Sequence, residues 1–357
     1  MIAINGKIFT QRMSGLGRFA FEVTRRLLDA GTHMVIYTPN KPLHDDYQSL
    51  ANWIHRDSFG MHPFLWELFR LPVLLGKSGC SLLWSPANIG PIFPGVPHYL
   101  TLHDLTFIHD ATWMDRLPRL LYRTLIPLIC KGTEYLISPT EVIRQEVLAH
   151  LPEKPAGHVL MCHQGGDHVP LRDSSPPEQP LDSEKYFVFL GNIDRRKNLA
   201  RIVDAWALAR KKVDQPLKLY IIGAVKFKGN YSIDVEDASI EIRSNLDDAA
   251  VFALLSQARG LLFPSLYEGF GFPMLEAMRS GCPVITSNIG AMAEVAGSAA
   301  LLVDPHSAQE IATAIVDLCR SDELHGKLVG MGFERQKTFT WDRTAHYYLD
   351  LFSRECR

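Results

Sequence analysis

Short apolar runs alternate with helix-period segments along this chain, and the alternation restricts the folds that are open to it. Ile2–Asn5 has the length and composition of a buried strand. Residues 17–30 carry apolar side chains at helical spacing before Gly31 ends the pattern, and Met34–Thr38 is again strand-like. Repetition of this order indicates helices packed on a parallel sheet. We therefore predict an α/β fold with doubly wound sheets.

The same alternation starts a second time after residue 185, and 357 residues exceed what one ordinary core holds, so we predict two domains. Further strands are predicted at 82–84, 99–102, 135–137, 186–190, 217–222, 260–263, 283–287 and 300–303, and further helices at 199–211, 249–257, 273–280 and 308–319. Residues 170–185, rich in proline, serine and charge, are the predicted linker. The expected domains are 1–175 and 176–340. Residues 341–357 form a last helix that either packs back on the first domain or lies on the surface.

Composition excludes several classes of protein. The net charge is −2 with 21% charged residues, so nothing indicates a nucleic-acid surface. The six cysteines are scattered without a CxxC pair, which argues against a zinc site or a disulfide framework. We see no signal peptide and no run of roughly 18 apolar residues that would span a membrane. We expect a cytoplasmic protein, with peripheral contact at the inner membrane face as an alternative; oligomeric state stays open.

The stretch 263–278, FPSLYEGFGFPMLEAM, carries the strongest chemical signal. It starts at the end of an apolar strand, where Gly269 and Gly271 allow close approach of the backbone to a ligand. Pro273 suits the first turn of a helix, and a helix N-terminus above the strand ends of an α/β sheet favours anions. Two carboxylates, Glu268 and Glu276, flank this turn.

The block EGFGFPMLEAM, residues 268–278, resembles the signature of retaining glycosyltransferase family 4, with two glutamates in an E-x7-E arrangement. The resemblance continues through GCPVITS at 281–287 and ALLVDP at 300–305, and it is dense over about residues 186–310. It implies the GT-B architecture, in which two Rossmann-like domains face each other across a cleft. It also implies that a nucleotide-sugar donor transfers its sugar with retention of configuration.

Residue roles follow from the same resemblance. Glu276 would bind the ribose hydroxyls of the donor, and Glu268 would act beside the transferred sugar. Phe270, Gly271 and Phe272 would offer backbone amides to the donor. The alternative is that Glu276 only complements the helix dipole and that the glycines only turn the chain.

The second candidate segment is GNIDRRKN, residues 191–198, at the end of a predicted strand. A cationic loop at this edge of a sheet can meet a diphosphate. By resemblance Lys197 neutralises the donor diphosphate as a catalytic residue, with support from Arg196. Asn192 stands where some members of the family have an arginine, so Arg195 competes with Arg196 for the phosphate. A solvated basic turn is the alternative.

The strand at 99–102 ends in His103 and Asp104, at an edge that faces ligands in such sheets. The family has a histidine at the equivalent place in contact with the donor sugar, so His103 is a candidate catalytic residue. Asp104 is assigned to orienting it or to binding the acceptor. A structural histidine is the alternative.

Gly15, Gly17 and Arg18 belong to a glycine-rich segment before the first predicted helix. The glycines satisfy a dinucleotide fingerprint, but they follow their strand too late and the second strand ends without a carboxylate, which disfavours a nicotinamide enzyme. The loop resembles the glycine-rich loop of the family that covers the donor phosphates, with Arg18 on the acceptor side. The first 23 residues look most like a bacterial mannosyltransferase-B-like subgroup that uses GDP-mannose in surface polysaccharide synthesis.

Two segments, 64–75 and 113–131, mix aromatics, leucines and arginines. They are interpreted either as a surface that docks on a membrane near a lipid-linked acceptor or as partly buried helices interrupted by prolines.

Together these features predict a retaining hexosyltransferase with a nucleotide-sugar donor and a saccharide or lipid-linked acceptor. No Asp-x-Asp stands at a strand end, so we expect no metal and no cofactor besides the donor substrate. The alternatives are a UDP- or dTDP-sugar donor, a nucleotide-sugar epimerase of the same architecture, and a binding module without catalysis.

Overall fold

The computed structural model describes residues 1–151, 154–171, 185–223 and 237–354. The chain divides into two compact units, of which the first comprises Met1–Gly165 with Trp341–Arg357 and the second comprises Gly166–Thr340. Most of the predicted linker, residues 172–184, lies outside the described residues. The chain leaves the first unit between Gly165 and Gly166, at a glycine pair that precedes that segment.

The first unit is built on a parallel sheet. Its strands are β1 (Ile2–Asn5), β2 (Met34–Thr38), β3 (Ile54–Arg56), β4 (Leu82–Ser85), β5 (His98–Thr101), β6 (Tyr135–Ser138) and β7 (Val159–Met161). Over the described residues their order is β3-β2-β1-β4-β5-β6-β7, and all neighbours pair in parallel. The strand order reverses between β1 and β4, which makes this the topological switch point of the sheet.

The second unit repeats this plan with β8 (Lys185–Leu190), β9 (Leu217–Ile222), β10 (Ile240–Arg243), β11 (Gly260–Phe263), β12 (Val284–Ser287) and β13 (Leu301–Val303). In the part of this unit that the structure describes, the order is β10-β9-β8-β11-β12-β13, again parallel. Its switch point lies between β8 and β11. These two strands carry the two donor segments that the sequence predicts.

Helices connect the strands of each unit. The first unit has α1 (Gly15–Asp29), α2 (Pro63–Leu65), α3 (Leu71–Leu75), α4 (Arg116–Lys131) and α5 (Glu141–His150). The second has α6 (Leu199–Arg210), α7 (Asp248–Gln257), α8 (Phe272–Arg279), α9 (Gly290–Ala296), α10 (Ala308–Arg320) and α11 (Asp322–Gln336), and α12 (Trp341–Ser353) belongs to the first unit. A π-helical turn at Trp66–Arg70 joins α2 to α3, and 3₁₀ turns occupy Gly6–Thr10, Asp45–Trp53, Ala111–Trp113, Ala156–His158 and Arg195–Lys197.

Both faces of the second sheet are buried, as a doubly wound sheet requires. Successive side chains of β8 point to opposite faces, so Tyr186 and Val188 pack in one apolar cluster while Phe187 and Phe189 pack in the other. Continuous apolar strands of this kind are what the sequence pattern indicated. The α/β prediction is confirmed.

An aromatic cluster forms part of the first unit's core and holds α12 in place. Trp84 of β4 contacts Tyr348 and Phe352 of α12 at ring-centroid distances of 5.0 and 5.8 Å. Phe19 of α1 lies 5.9 Å from Tyr348, and all four rings are buried. The last helix therefore packs against α1 and β4 rather than lying loosely on the surface.

The prolines of the two apolar-basic segments do not interrupt their helices. Pro127 lies inside α4, and Pro72 lies in the first turn of α3, so the chain remains helical through both. Both segments are thus partly buried helices, as one of the two interpretations had it, but without a break at these prolines. An internal proline removes one backbone hydrogen bond, and burial of Ile126, Ile129 and Cys130 on one face of α4 can offset that loss.

Within the described residues, no helix is both long and apolar enough to cross a membrane.

Candidate functional site

The two predicted donor segments of the second unit follow neighbouring strands. β8 and β11 pair in parallel at the switch point, so their carboxyl ends meet at one edge of the sheet. The loop after β8 carries Arg196 and Lys197, and the loop after β11 carries Glu268. Ligands of open α/β sheets bind at this edge, beside the reversal of strand order.

Glu268 forms ion pairs with two cations from the other loop. Its Oε1 lies 2.5 Å from Lys197 Nζ, and its Oε2 accepts a hydrogen bond from Arg196 Nη1 at 2.6 Å. The same Arg196 nitrogen donates to the carbonyl of Tyr267 at 2.9 Å. The three charged side chains are 10 to 19% exposed, so water screens their interaction weakly. Together the three side chains form one charge cluster, which joins the two loops through ion pairs.

The cluster keeps Glu268 ionised. Burial by itself raises the pKa of Glu268, but the charges of Arg196 and Lys197 outweigh burial and hold that pKa below its ordinary value. At neutral pH the carboxylate is therefore charged. The site therefore carries one guanidinium and one ammonium charge, and the Glu268 carboxylate balances part of this positive charge.

This arrangement differs from the separate roles that the resemblance implied. Lys197 and Arg196 were expected on the diphosphate and Glu268 beside the sugar, whereas the structure joins all three directly. A diphosphate that reaches Lys197 has to share the ammonium group with Glu268. The carboxylate can in turn orient both cations for that ligand.

The backbone around Lys197 is built to hold its side chain. Asp194 caps the 3₁₀ turn by accepting from the Lys197 amide at 3.0 Å. The ammonium group lies 4.6 Å from the ring centroid of Phe263, the last residue of β11, in cation–π contact. At Gly191 a Cβ would approach the Lys197 side chain to 3.3 Å, and the backbone φ of +145° there also favours glycine.

Arg195 and Asn192 occupy different surroundings from Arg196. Both are exposed on the same loop, whereas Arg196 is turned into the charge cluster. Of the two arginines that the sequence left in competition, Arg196 is therefore the one that lies beside Glu268.

α8 starts directly above the end of β11. Gly271 has φ +102°, and Pro273 occupies the first turn, where its missing amide is no loss. In the described structure no side chain caps this helix. Phe270 is buried and its ring lies 5.4 Å from that of half-buried Phe272, so the backbone of the predicted amide loop is fixed by packing.

Glu276 lies one turn into α8 and has a partner that the sequence did not reveal. His168 Nε2 lies 3.2 Å from Glu276 Oε1, and the histidine side chain is 5% exposed. The Glu276 side chain is 17% exposed. The histidine ring also makes an edge contact with Phe272, so it is held from two sides. Glu276 is therefore more than a complement to the helix dipole, because a buried side chain fixes its orientation.

In the first unit, both ring nitrogens of His103 are engaged by the protein. Nε2 lies 2.7 Å from the carbonyl of Pro86, which makes it the protonated nitrogen, and Nδ1 accepts from Gln164 Nε2 at 2.8 Å. The ring is buried against Phe19. Burial lowers the pKa of His103 to about 4, so the imidazole is neutral. A contact from this ring to a sugar requires one of these two bonds to be exchanged.

Asp104 next to it is half-buried and forms a local turn by accepting from the amide of Thr106 at 2.9 Å. This bond involves Oδ1.

The glycine-rich start of α1 is shaped by Tyr47. Ser14 caps the helix by accepting from the Gly17 amide at 3.3 Å. A Cβ on Gly17 would overlap the Tyr47 hydroxyl, so a larger residue here would force the buried Tyr47 side chain to move. Gly15 is exposed at the first helical residue, and Arg18 is half-buried one residue after Gly17.

Three side chains beside the predicted residues were missed from the sequence, namely His168, Gln164 and Tyr47. The first two flank the Gly165–Gly166 pair, and polar residues around paired glycines are the signal that was available. Tyr47 has no comparable signal, because its importance depends on a contact with Gly17 that is distant in sequence. Among the described residues, no group of three or more His, Cys, Asp or Glu is placed to hold a metal ion.

Comparison with known proteins adds family information to this geometry. Residues 184–321 match the family described as Glycosyl transferases group 1. The chain is 25% identical to the O-antigen chain mannosyltransferase B of Escherichia coli over 95% of this chain and 96% of that protein.

Two solved structures share the fold over nearly the whole chain. Sucrose-phosphate synthase from Thermosynechococcus elongatus superimposes with a TM-score of 0.77 at 18% identity, covering 99% of this chain and 98% of that one. Anabaena HepE in complex with UDP-glucose gives a TM-score of 0.74 at 14% identity, with 99% and 98% coverage. The two Rossmann-like sheets therefore match the GT-B architecture.

Proposed function

Because residues 184–321 match the glycosyl transferases group 1 family, we propose that this chain is a glycosyltransferase that transfers mannose from GDP-mannose to a saccharide or lipid-linked saccharide acceptor. The transfer retains the anomeric configuration and serves the synthesis of a bacterial surface polysaccharide. The choice of mannose is supported by the O-antigen mannosyltransferase, which aligns over nearly the full length of both proteins.

The cluster of Arg196, Lys197 and Glu268 at the switch point is the observation that supports this function best. The group that leaves in glycosyl transfer from a nucleotide sugar is a diphosphate, on which negative charge develops. Two cations held at the carboxyl edge of β8 and β11 are positioned to stabilise that charge. Because they are fixed before the donor arrives, little reorganisation opposes the reaction.

Glu268 has two tasks in this proposal. Its ion pairs orient Lys197 and Arg196, and its negative charge supports the positive charge that develops on the anomeric carbon of the transferred sugar. Both tasks need the ionised carboxylate, which the lowered pKa of Glu268 secures at neutral pH.

Glu276 and His168 hold the nucleoside end of the donor in the proposal. His168 contacts Oε1 of Glu276, so we assign the ribose hydroxyls of the donor to Oε2. The backbone amides of Phe270, Gly271 and Phe272 lie at the N-terminus of α8. A helix N-terminus attracts anions, so these amides are assigned to the donor phosphates.

For the first unit the proposal keeps the roles that the resemblance implies, in which Gly15 and Gly17 bind the donor phosphates. His103, which follows β5, contacts the donor sugar. Asp104 either orients His103 or binds the acceptor, and Arg18 is assigned to the acceptor. No divalent metal takes part in the proposed reaction, because Arg196, Lys197 and the α8 N-terminus carry the charge of the diphosphate.

The test starts with thermal unfolding of the purified protein in the presence of GDP, UDP, dTDP and ADP and their common sugars, with magnesium or with EDTA. A ligand at a hundred times its Kd adds about 2.7 kcal/mol to the free energy of unfolding. We expect a shift with GDP and GDP-mannose that EDTA does not change. NMR of the product then reports the anomeric configuration.

Other outcomes separate the competing functions. A shift with uridine or thymidine nucleotides alone would contradict GDP-mannose as the donor, but it would still support a glycosyltransferase. Turnover of the donor to an epimer without acceptor would indicate an epimerase. Tight donor binding without turnover on any saccharide or lipid-linked acceptor would indicate a binding module. The absence of any nucleotide shift would contradict the donor site.

A further inference from the structure

A lysine–glutamate pair lies at the switch point of the first sheet. β1 ends at Asn5, and Lys7 follows in the 3₁₀ turn Gly6–Thr10, at the edge where the strand order reverses between β1 and β4. Lys7 Nζ donates to Oε2 of Glu67, which is 60 positions away in sequence. Asn5 Nδ2 donates to the other carboxylate oxygen, Oε1, at 2.6 Å. Open α/β sheets bind ligands at this edge, and the donor site of the second unit uses neither residue of the pair.

The backbone that carries Glu67 is anchored at both ends. Glu67 belongs to the π-helical turn Trp66–Arg70, and such turns are frequent at functional sites. Trp66 Nε1 and Arg70 Nε, from the first and last residues of the turn, donate to Asp57 Oδ2 at 3.1 and 2.9 Å. This anchoring fixes a carboxylate of 2% exposure next to the end of β1.

Stability alone does not explain the pair. Burial of two charges costs solvation energy that their attraction offsets only in part, so apolar side chains can often replace a buried ion pair without loss. Glu67 is buried, whereas the Lys7 side chain keeps 20% of its surface accessible. A buried carboxylate therefore holds a lysine that a ligand at the edge of the sheet can reach.

The second unit contains the same arrangement with a different charge. There Lys197 follows β8, beside the switch point, and the nearly buried Glu268 holds it. Arg196 adds a second cation to that carboxylate. The excess of positive charge suits a diphosphate, as the proposed function requires.

The edge of the first unit has the opposite excess. Tyr122 of α4 is half-buried, and burial raises the pKa of its hydroxyl, which the negative charges of Glu67 and Asp104 raise further. Both carboxylates therefore act near Tyr122, and Lys7 balances one of them. A phosphate group at this place would meet net negative charge, whereas a neutral hydroxyl group would not.

We propose that Lys7, Tyr122 and Asp104 bind the hydroxyl groups of a neutral sugar, with Glu67 as the positioning residue that orients Lys7. This inference rests on the proposed function for the identity of the sugar, which is the end of the acceptor saccharide. Sugar hydroxyls both donate and accept hydrogen bonds. Lys7 and the protonated Tyr122 supply donors, and Asp104 supplies an acceptor, because its turn to Thr106 involves Oδ1 and not Oδ2. The protein accordingly extends a neutral saccharide rather than a phosphorylated sugar.

The experiment is a saturation-transfer NMR titration of the full chain, with and without GDP. The probes are the methyl α-glycosides of mannose, glucose, galactose and N-acetylglucosamine, together with the 6-phosphate of each sugar. We expect at least one neutral glycoside to bind, and to bind more tightly than the 6-phosphate of the same sugar. Lys7→Met should weaken that binding at least about tenfold, as loss of a charge-assisted hydrogen bond would.

Glu67→Gln tests the positioning role. The amide can still accept from Asn5 but no longer holds Lys7 by charge, so sugar binding should weaken about tenfold. A merely structural Glu67 would lower the thermal midpoint of this variant and leave sugar binding by the folded protein unchanged.

A double variant separates folding from binding. Lys7→Met alone leaves the buried Glu67 unpaired, whereas Lys7→Met combined with Glu67→Leu removes both charges. The double variant should therefore regain most of the thermal midpoint without regaining sugar binding. Arg25→Met is the matched control, because it breaks an ion pair with Asp29 whose side chains are 43 and 64% exposed in the second half of α1. It should leave sugar binding unchanged.

Calorimetric titration with GDP distinguishes this inference from the proposed function. GDP is assigned to the second unit, whereas Lys7 and Glu67 lie in the first, so every variant should bind GDP as the wild type does. Failure of the donor site would appear in this titration, and failure of the sugar site would appear in the NMR titration.

Three outcomes would overturn the inference. The folded Lys7→Met variant could bind the glycosides as strongly as the wild type. A 6-phosphate could bind more tightly than the neutral glycoside of the same sugar, which would contradict the charge argument. The folded wild-type chain could bind none of the neutral glycosides, either with or without GDP.

Discussion

Lys197 Nζ lies 2.5 Å from Glu268 Oε1, so the lysine that is predicted to meet the donor diphosphate is already held by a carboxylate. The pair joins the loop after β8 to the loop after β11. Any anion that binds Lys197 enters this pair rather than an isolated cation. The proposed donor site therefore already holds paired charges before a donor binds, and substitutions can test their contribution.

Glu268→Gln removes the negative charge and keeps the shape of the side chain. Two nearly buried cations then lose their partner, so the free energy of unfolding should fall by about 3 kcal/mol. Transfer should fall on the order of 100-fold because Lys197 and Arg196 are no longer oriented. GDP binding should be kept or tightened, since no carboxylate competes with the diphosphate. Steady-state transfer and urea unfolding measure these effects.

Glu241→Gln is the matched control, because that carboxylate pairs with Arg243 on an exposed strand. It should cost less than about 1 kcal/mol of stability and leave transfer unchanged. Transfer at the wild-type rate in the Glu268→Gln variant would contradict the role of the cluster.

The neighbouring arginines offer a comparison within one loop. Arg196→Met removes a cation that contacts Glu268 and Tyr267, whereas Arg195→Met removes an exposed one. We expect the first substitution to weaken GDP binding about tenfold or more, as loss of a charge-assisted bond would, and the second to change it less than twofold. Calorimetric titration with GDP measures both. Equal losses would mean that the loop acts only through its overall charge.

His168 should act through Glu276 rather than on the substrate directly. His168→Ala frees the carboxylate to turn away, so KM for the donor should rise about tenfold, with a smaller change in kcat. His168→Gln can keep a donor near Glu276 Oε1 and should recover part of the loss. A merely structural role would lower the thermal midpoint of both variants without separating KM from kcat.

Acid should destabilise the protein through His103. The folded pKa of about 4 lies below the ordinary value of 6.5, so the unfolded chain takes up a proton that the folded imidazole refuses. The contribution is absent above pH 6.5, grows as the pH falls and is complete below pH 4, at about 3 kcal/mol. Urea unfolding between pH 7 and 4 should show a smaller loss for His103→Gln than for wild type.

The exposed histidine His346 provides the control substitution, His346→Gln, in the same unit. An identical loss of stability in wild type and the His103→Gln variant would show that the buried ring is not the group that titrates.

Gly17→Ala should strain the start of α1, because the new methyl would lie 2.1 Å from the Tyr47 hydroxyl. Overpacking of this kind costs about 1–3 kcal/mol. Tyr47→Phe removes the hydroxyl and should restore most of this loss in the double variant. A double-mutant cycle by urea unfolding measures the coupling, and additive effects would place the need for glycine elsewhere.

The sequence predicted the interior of both sheets better than their edges. Every predicted strand is present within one residue of its expected bounds. β3, β7 and β10 were missed, and each lies at the end of its sheet. An edge strand is short and partly exposed, so it lacks the apolar run by which a central parallel strand is found.

The sequence could place the predicted donor residues at the ends of neighbouring strands, because the motifs identify the two loops and the switch point of the sheet brings such loops together. Their pairing could not be predicted. Arg196 and Glu268 are 72 positions apart in sequence, and His168 and Glu276 are 108 apart. These contacts depend on the register of the parallel strands and on the path of the chain after Gly166, neither of which could be derived from the sequence pattern.

The first unit takes its parts from both ends of the described chain, since α12 fills the aromatic cluster around Phe19 and Trp84. Residues 1–165 leave the ribosome long before Trp341. The core of the first unit therefore cannot be completed until α12 has been synthesised. The second unit is continuous and can close its own core first. We therefore expect the second unit to close before the first, and a released chain that ends before Trp341 should present one finished unit and one that a protease can still cut.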